Sequence, residues 1–184
     1  MLLFVGLGNP TPDSKNNRHN IGFKIIDAIN QKFSLSKQKP KFKGLLTTGN
    51  INKKKVYAIK PLTFMNNSGI CIRELIEYFK INAEDVIVFH DDLDIDFGKV
   101  KAKFGGSSAG HNGIESIDKF IGKDYSRIRI GIGKPKSEAT DHVLKDFDED
   151  EIQDLKKITT NITDSLSILL DKKLDLFSST VNNN

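Results

Sequence analysis

Short apolar runs too brief for helices alternate along this chain with segments of helical period, and that alternation constrains its fold more than any other feature. Residues 2–6 form an apolar run that ends in Gly6-Leu7-Gly8-Asn9-Pro10, which reads as a buried strand entering a tight turn. From Ile21, apolar residues recur at Ile25, Ile26, Ile29 and Phe33 with helical spacing. Residues 31–43 are polar and lysine-rich and read as a connector. Residues 45–51 and 56–59 predict two strands joined across Asn52-Lys53-Lys54 as a hairpin. After a loop at 61–69, Ile72, Leu75, Ile76 and Phe79 mark one side of a second helix. The β-branched run 86–89 is typical of an interior strand and leads directly into His90-Asp91-Asp92-Leu93-Asp94. Residues 98–104 and 127–132 alternate as further strands, 105–110 read as a glycine-rich loop, and 111–122 resume helical spacing. An acidic stretch after Asp146 leads into a C-terminal helix carrying Ile152, Leu155, Ile158, Ile162, Leu166 and Leu169.

Strands alternating with helices, interrupted once by a hairpin, predict an α/β fold: a single three-layer domain with a mixed, twisted β-sheet flanked by helices. The 184 residues suit one domain, expected over 1–178, with 179–184 a frayed tail. A lone cysteine, Cys71, excludes an internal disulfide, fits a reducing cytoplasm and reads as core beside Ile72. The apolar N-terminus lacks a basic flank and breaks at Asn9-Pro10, so it does not read as a signal peptide. No run approaches the roughly 18 apolar residues of a membrane span, and no membrane partner is expected. Charge is uneven: residues 1–60 carry 12 Lys/Arg against 2 Asp/Glu, whereas 137–184 carry 5 against 11. The basic part could attract a polyanion such as RNA, or its Lys- and Asn-rich usage could simply reflect genome composition.

Four loops hold most of the residues capable of chemistry, and three of them follow expected strands, where ligands gather in open α/β sheets. Gly6 to Pro10, with Arg18-His19-Asn20 ahead of a helix, lacks the third glycine of a dinucleotide fingerprint. His19 at a helix N-terminus is suited to accept a proton, or His19 and Asn20 cap the helix. In Pro61-Leu62-Thr63-Phe64-Met65-Asn66-Asn67-Ser68-Gly69, Phe64 and Met65 form an exposed apolar platform, or tuck beneath the loop. Asp91 at a strand end can orient a histidine, bind a metal with its acidic neighbours, or belong to a solvated turn. The zinc reading lacks an H-E-x-x-H or a cysteine pair. Lys101 and Lys103 share one face of a strand near a glycine-rich loop and His111-Asn112-Gly113, which suits a phosphate. Arg127 and Arg129 have the same spacing and could enlarge that basic face, or all four could discourage edge aggregation.

Taken together, the chain closely resembles bacterial-type peptidyl-tRNA hydrolases. The resemblance rests on Val5 to Pro10, Arg18-His19-Asn20-Ile21-Gly22, Lys60 to Asn66, His90 to Asp94, Gly110-His111-Asn112-Gly113 and Arg127 to Gly133, in family order over residues 1 to about 147. It implies a monomeric cytosolic esterase, free of metal and cofactor, that acts on ribosome-free peptidyl-tRNA and contacts its acceptor end and 5′ phosphate. His19 would be the general base activating water, and Asp91 would orient it. Asn9 would separate blocked from free aminoacyl-tRNA. Phe64, Asn66 and Asn112 would bind the tRNA end and peptide, with Met65 and His111 lining the same cleft. Lys101 and Lys103 would clamp the 5′ phosphate.

The chain departs from the family pattern in places. Ser14 stands where a tyrosine is usual, weakening a substrate contact expected at that position. Thr11 replaces a glycine, Asn17 a threonine and Asp92 a glutamate, and Ser107, Ser108 and Ala109 make the 105–110 loop poorer in glycine. The alternative reading is a catalytically silent RNA-binding relative of the same fold. A metal-dependent phosphoesterase built on His90, Asp91, Asp92 and Asp94 is a further rival.

Overall fold

Leu2–Gly6 is buried at every residue (β1), because an interior strand of a covered sheet has no solvent face. The computed structural model describes residues 1–136 and 138–184. After β1 come α1 (Ile21–Lys32), β2 (Lys39–Lys41), β3 (Gly44–Ile51), β4 (Lys54–Pro61) and α2 (Ser68–Phe79). Then follow β5 (Val86–Asp92), β6 (Val100–Phe104), α3 (Asn112–Ile121), β7 (Ser126–Gly131), α4 (Ala139–Leu144), α5 (Glu149–Asp164), α6 (Leu166–Leu170) and α7 (Leu174–Asn182). The strands form one seven-stranded sheet in the order β2-β3-β4-β1-β5-β7-β6. Its centre is parallel, β4 with β1, β1 with β5 and β5 with β7, while β2, β3 and β6 pair antiparallel at the flanks. The mixed sheet of a single α/β domain is thus as the alternation predicts.

Side-chain alternation divides the core into two layers. Leu2 and Phe4 of β1 pack with Ile25 and Ile29 of α1 and with Leu155, Ile162, Leu169 and Phe177 of α5–α7. Leu3 and Val5 face the other way, onto Ile72 and Leu75 of α2 and Ile114 and Ile117 of α3. Cys71 is buried in that second layer, and burial pushes its thiol up to about 12, so it stays an inert apolar filler.

The fold departs from the sequence expectations at three places. The connector over 31–43 contains β2, whose Lys-Pro-Lys extends the hairpin by three exposed residues with no apolar pattern to announce it. The single C-terminal helix is two: α5 stops at Asp164, and Ser165 begins the short α6. The acidic start of α5 is a capping box, Asp148 accepting from the Glu151 N–H while the Glu151 carboxylate accepts from the Asp148 N–H. The tail expected to fray instead runs as α7 through Asn182. Its polar side chains satisfy the outer edge of β6: Ser178 accepts from the Ala102 N–H, and the Asn182 amide both accepts from and donates to Val100. A helix thereby completes a strand edge that would otherwise offer unpaired backbone groups.

Candidate active site

The carboxyl ends of β1 and β5 lie side by side, and the loops that leave them meet over one carboxylate. Asp91 is the penultimate residue of β5 and 2% exposed. His19 sits in a 3-10 turn (Arg18–Asn20) just ahead of α1. Gly22 lets α1 start directly against the sheet, since a Cβ there would collide with the Leu7 backbone and the Phe89 carbonyl. His19 Nδ1 lies 2.9 Å from both Asp91 carboxylate oxygens. Burial alone would raise the Asp91 carboxyl, but the charges and hydrogen bonds of His111 and His19 outweigh it and hold the group far below the usual carboxylate range. Asp91 is therefore the acceptor and His19 Nδ1–H the donor, which in the neutral imidazole leaves Nε2 with the lone pair.

His111 approaches the same carboxylate, its Nε2 2.8 Å from Asp91 Oδ1. Its other nitrogen, Nδ1, accepts from the backbone N–H of Gly113 at 3.1 Å and of Ile114 at 3.3 Å, so the imidazole itself is the N-cap of α3. His19, Asp91 and His111 present ligand atoms close enough together to suit a metal ion. His111 fits a metal poorly: with Nδ1 accepting two backbone N–H groups, its Nε2 carries the proton and has no lone pair to offer.

A third imidazole, His90, packs edge-to-face on His111 with ring centroids 5.0 Å apart. His90 is buried, its Nδ1–H donates to the Asp91 carbonyl oxygen at 2.8 Å, and its Nε2 meets no partner among the described residues. Burial pushes its imidazolium far down, helped by the neighbouring His111. An unfolded chain protonates this side chain below about pH 6.5 and the folded chain does not, so protons favour unfolding as the pH drops from there. By pH 5 the wild type should lose about 2 kcal/mol more stability than His90→Gln, relative to pH 7.5. Urea melts of both proteins at the two pH values check this; equal losses would mean that His90 titrates freely in the fold.

Around this cluster runs a cleft of about 520 Å³. The Asn9 Oδ1 accepts from the Met65 N–H at 2.9 Å, leaving its amide N–H groups as the unassigned donors. Asn20 holds the Asn9 backbone at both ends, accepting from its N–H at 2.8 Å and donating to its carbonyl at 2.9 Å. Neither His19 nor Asn20 caps α1; their side chains go to Asp91 and Asn9 instead. The platform residues divide: Met65 is buried while Phe64 is 56% exposed. Phe64 has φ of +61°, a backbone conformation rare for a bulky residue. Such strain persists where the surroundings enforce it, and here it turns an aromatic ring toward the cleft.

The sequence model describing peptidyl-tRNA hydrolase matches residues 3–184. The chain belongs to the peptidyl-tRNA hydrolase family. It is 85% identical to the Pelagibacter ubique (strain HTCC1062) peptidyl-tRNA hydrolase over the full length of both. Against the Neorickettsia sennetsu peptidyl-tRNA hydrolase the identity is 45%, covering 92% of this chain and 87% of that protein. The crystal structure of the Acinetobacter baumannii peptidyl-tRNA hydrolase superposes with a TM-score of 0.92 at 32% identity, covering 99% of this chain and 94% of that one.

Of the residues expected from the family resemblance, Asn9, His19, Phe64, Met65, Asn66, Asp91, His111 and Asn112 all line the cleft. Ser14 does not; it is buried with its hydroxyl 2.7 Å from that of Thr11. Lys101 and Lys103 also lie outside the cleft, exposed on one face of β6. The basic face, which Arg127 and Arg129 could have enlarged, does not extend to β7. Arg127 is 2% exposed, paired with Asp118 and donating to the Ser107 carbonyl, so it anchors the glycine-rich loop. Arg129 is paired with Asp92 at 2.8 Å.

Two features escaped the family-based reading. One is α4, which contributes Ala139, Thr140, Val143 and Leu144 to the cleft; only the apolar pair Val143-Leu144 in a polar segment hints at it. The other is Arg18, buried next to His19 and bonded to Glu151 at 2.7 Å and to the His142 and Lys145 carbonyls. It ties the turn that carries His19 to the end of α4 and the start of α5.

Proposed function

We propose that the chain hydrolyses the ester joining peptide to tRNA in ribosome-free peptidyl-tRNA, with His19 as the general base and Asp91 as its orienting partner. The observation that carries the mechanism is the pair of 2.9 Å contacts from His19 Nδ1 to a buried carboxylate, which leaves Nε2 as the basic nitrogen. A water deprotonated by Nε2 attacks the ester carbonyl, and the imidazolium, stabilised by Asp91, then returns the proton to the departing ribose oxygen. An acyl ester is activated enough to need no Ser or Cys nucleophile and no metal. The amide N–H groups of Asn9, which meet no acceptor among the described residues, can donate to the developing oxyanion or to the carbonyl oxygen of the group that blocks the substrate amine, without competing for the proton.

The wall formed by Leu93, Val143 and Leu144 suits a peptide, and the exposed Phe64 ring suits a terminal base. Asn66 and Asn112 fit polar contacts to the same end of the substrate, with Met65 beneath them. Ser14, buried against Thr11, is best read as supporting the turn rather than touching substrate. A substrate released by translation supports a cytoplasmic site of action. No helix among the described residues is long and apolar enough to cross a membrane.

Release of N-acetylated amino acid from N-acetyl-aminoacyl-tRNA in the presence of EDTA tests the reading. Cleavage that persists under chelation is expected; a folded protein that binds the tRNA and leaves it intact would refute it. Lys101 and Lys103, free of acidic partners among the described residues, fit the 5′ phosphate. Lys103→Ala should weaken tRNA binding and reduce the slope of log K against log salt by about 1, as loss of one phosphate contact does. Binding isotherms at several salt concentrations measure this, and an unchanged slope removes Lys103 from the clamp.

A further inference from the structure

We propose that His111 is a positioning residue for the reaction, locked by the first turn of α3 in the Nε2–H tautomer and holding Asp91 in the orientation that His19 needs. The inference rests on the His19–Asp91 reading above and deepens it, since His111 otherwise counts only as a wall of the cleft.

The first amides of a helix have no intrahelical acceptor, and α3 directs two of them, from Gly113 and Ile114, at His111 Nδ1. A nitrogen that accepts two N–H groups cannot carry a proton. The remaining proton must sit on Nε2, which lies 2.8 Å from Asp91 Oδ1. The helix thus dictates the tautomer, and the tautomer dictates a donor aimed at the carboxylate. Without it, Asp91 would have His19 as its only side-chain donor among the described residues, through contacts to both oxygens that permit rotation about the carboxyl bond. A buried carboxylate with one mobile partner holds a base less well than one clamped from two directions. His90, packed on His111 and bonded to the Asp91 carbonyl, keeps the second imidazole from tilting away.

The two functions of His111, capping and orienting, can be separated by substitution. His111→Asn retains an oxygen suited to cap α3 but is too short to reach Asp91. His111→Gln places an amide N–H near the former Nε2 but caps poorly. For His111→Asn, kcat should fall roughly ten- to hundredfold, as expected for a lost bond to a charged group, with KM within about threefold. Its Tm should stay within about 2 °C of wild type. His111→Gln should recover most of the lost turnover while its Tm falls below that of His111→Asn.

A raised KM with unchanged kcat in His111→Asn would make the residue a cleft wall and overturn the proposal. So would losses of kcat that track Tm across both variants, since those would mark a purely structural cap. If His111→Asn does not fold, His111→Gln decides: turnover within about fivefold of wild type supports the clamp, and a deeper loss overturns it. His19→Asn is measured alongside. Should it turn over like wild type, the His19 base itself fails; if it is inactive while His111→Asn is fully active, only the His111 proposal fails.

Discussion

His19→Asn is expected to lower kcat by roughly 10²–10⁴-fold, the contribution of a positioned general base, while leaving the fold intact. Asparagine is the informative replacement. Its amide can still donate to Asp91 from near the position of Nδ1, so the buried carboxylate keeps its partner and the turn over 18–20 keeps its shape. What disappears is the basic nitrogen at the other edge of the ring. Single-turnover cleavage of N-acetyl-aminoacyl-tRNA and a thermal melt of the same preparation together check the outcome. A large loss of Tm in parallel with activity would make His19 a structural residue.

Asp91→Asn should be as severe for turnover, about 10⁴-fold, for a different reason. The carboxylate accepts from two imidazoles at once, and an amide cannot: its oxygen can serve one ring, but its nitrogen then donates toward the other. His111 cannot change its tautomer without uncapping α3, so His19 must yield. With Nδ1 turned acceptor, its proton moves to Nε2, and the base is lost although every ring stays in place. Stability should change in a pH-dependent way. A carboxyl held below its unfolded value contributes above about pH 4 and loses that contribution as the pH falls through the folded value. The variant should therefore melt below the wild type at pH 7 and approach it in strong acid, with differential scanning calorimetry as the measure. An Asp91→Asn protein with near-native turnover would rule out tautomer control by this side chain.

Much of this site was legible in the chain because each cleft loop carries a contiguous motif at a strand end or ahead of a helix. Arg18-His19-Asn20 and His90-Asp91-Asp92 are short, polar and unusual where apolar periodicity stops, and residues with chemistry to perform stand out there. Arg127 and Arg129 were not legible for the opposite reason. An alternating Arg-Ile-Arg-Ile reads as one basic face, yet Asp118 and Asp92, which neutralise it, lie 9 and 37 residues away in sequence. No local pattern encodes that pairing. Likewise 179–184 read as a loose tail because their polar side chains look solvent-facing; α7 runs through Asn182 because Ser178 and Asn182 meet the edge backbone of β6, 76 and 82 residues earlier.

Hydrophobic period and contiguous motifs are local properties, and they alone give most of the strands and helices, the hairpin, the mixed sheet, the family and eight of the residues that line the cleft. Tertiary structure alone decided the strand order, the cleft wall supplied by α4 and the direction of each proton in the His19–Asp91–His111 cluster. His19 and Asp91 are 72 residues apart, and His111 a further 20. Whether an imidazole nitrogen donates or accepts depends on which atom stands 2.8 to 3.3 Å away, and only the folded chain brings those atoms together.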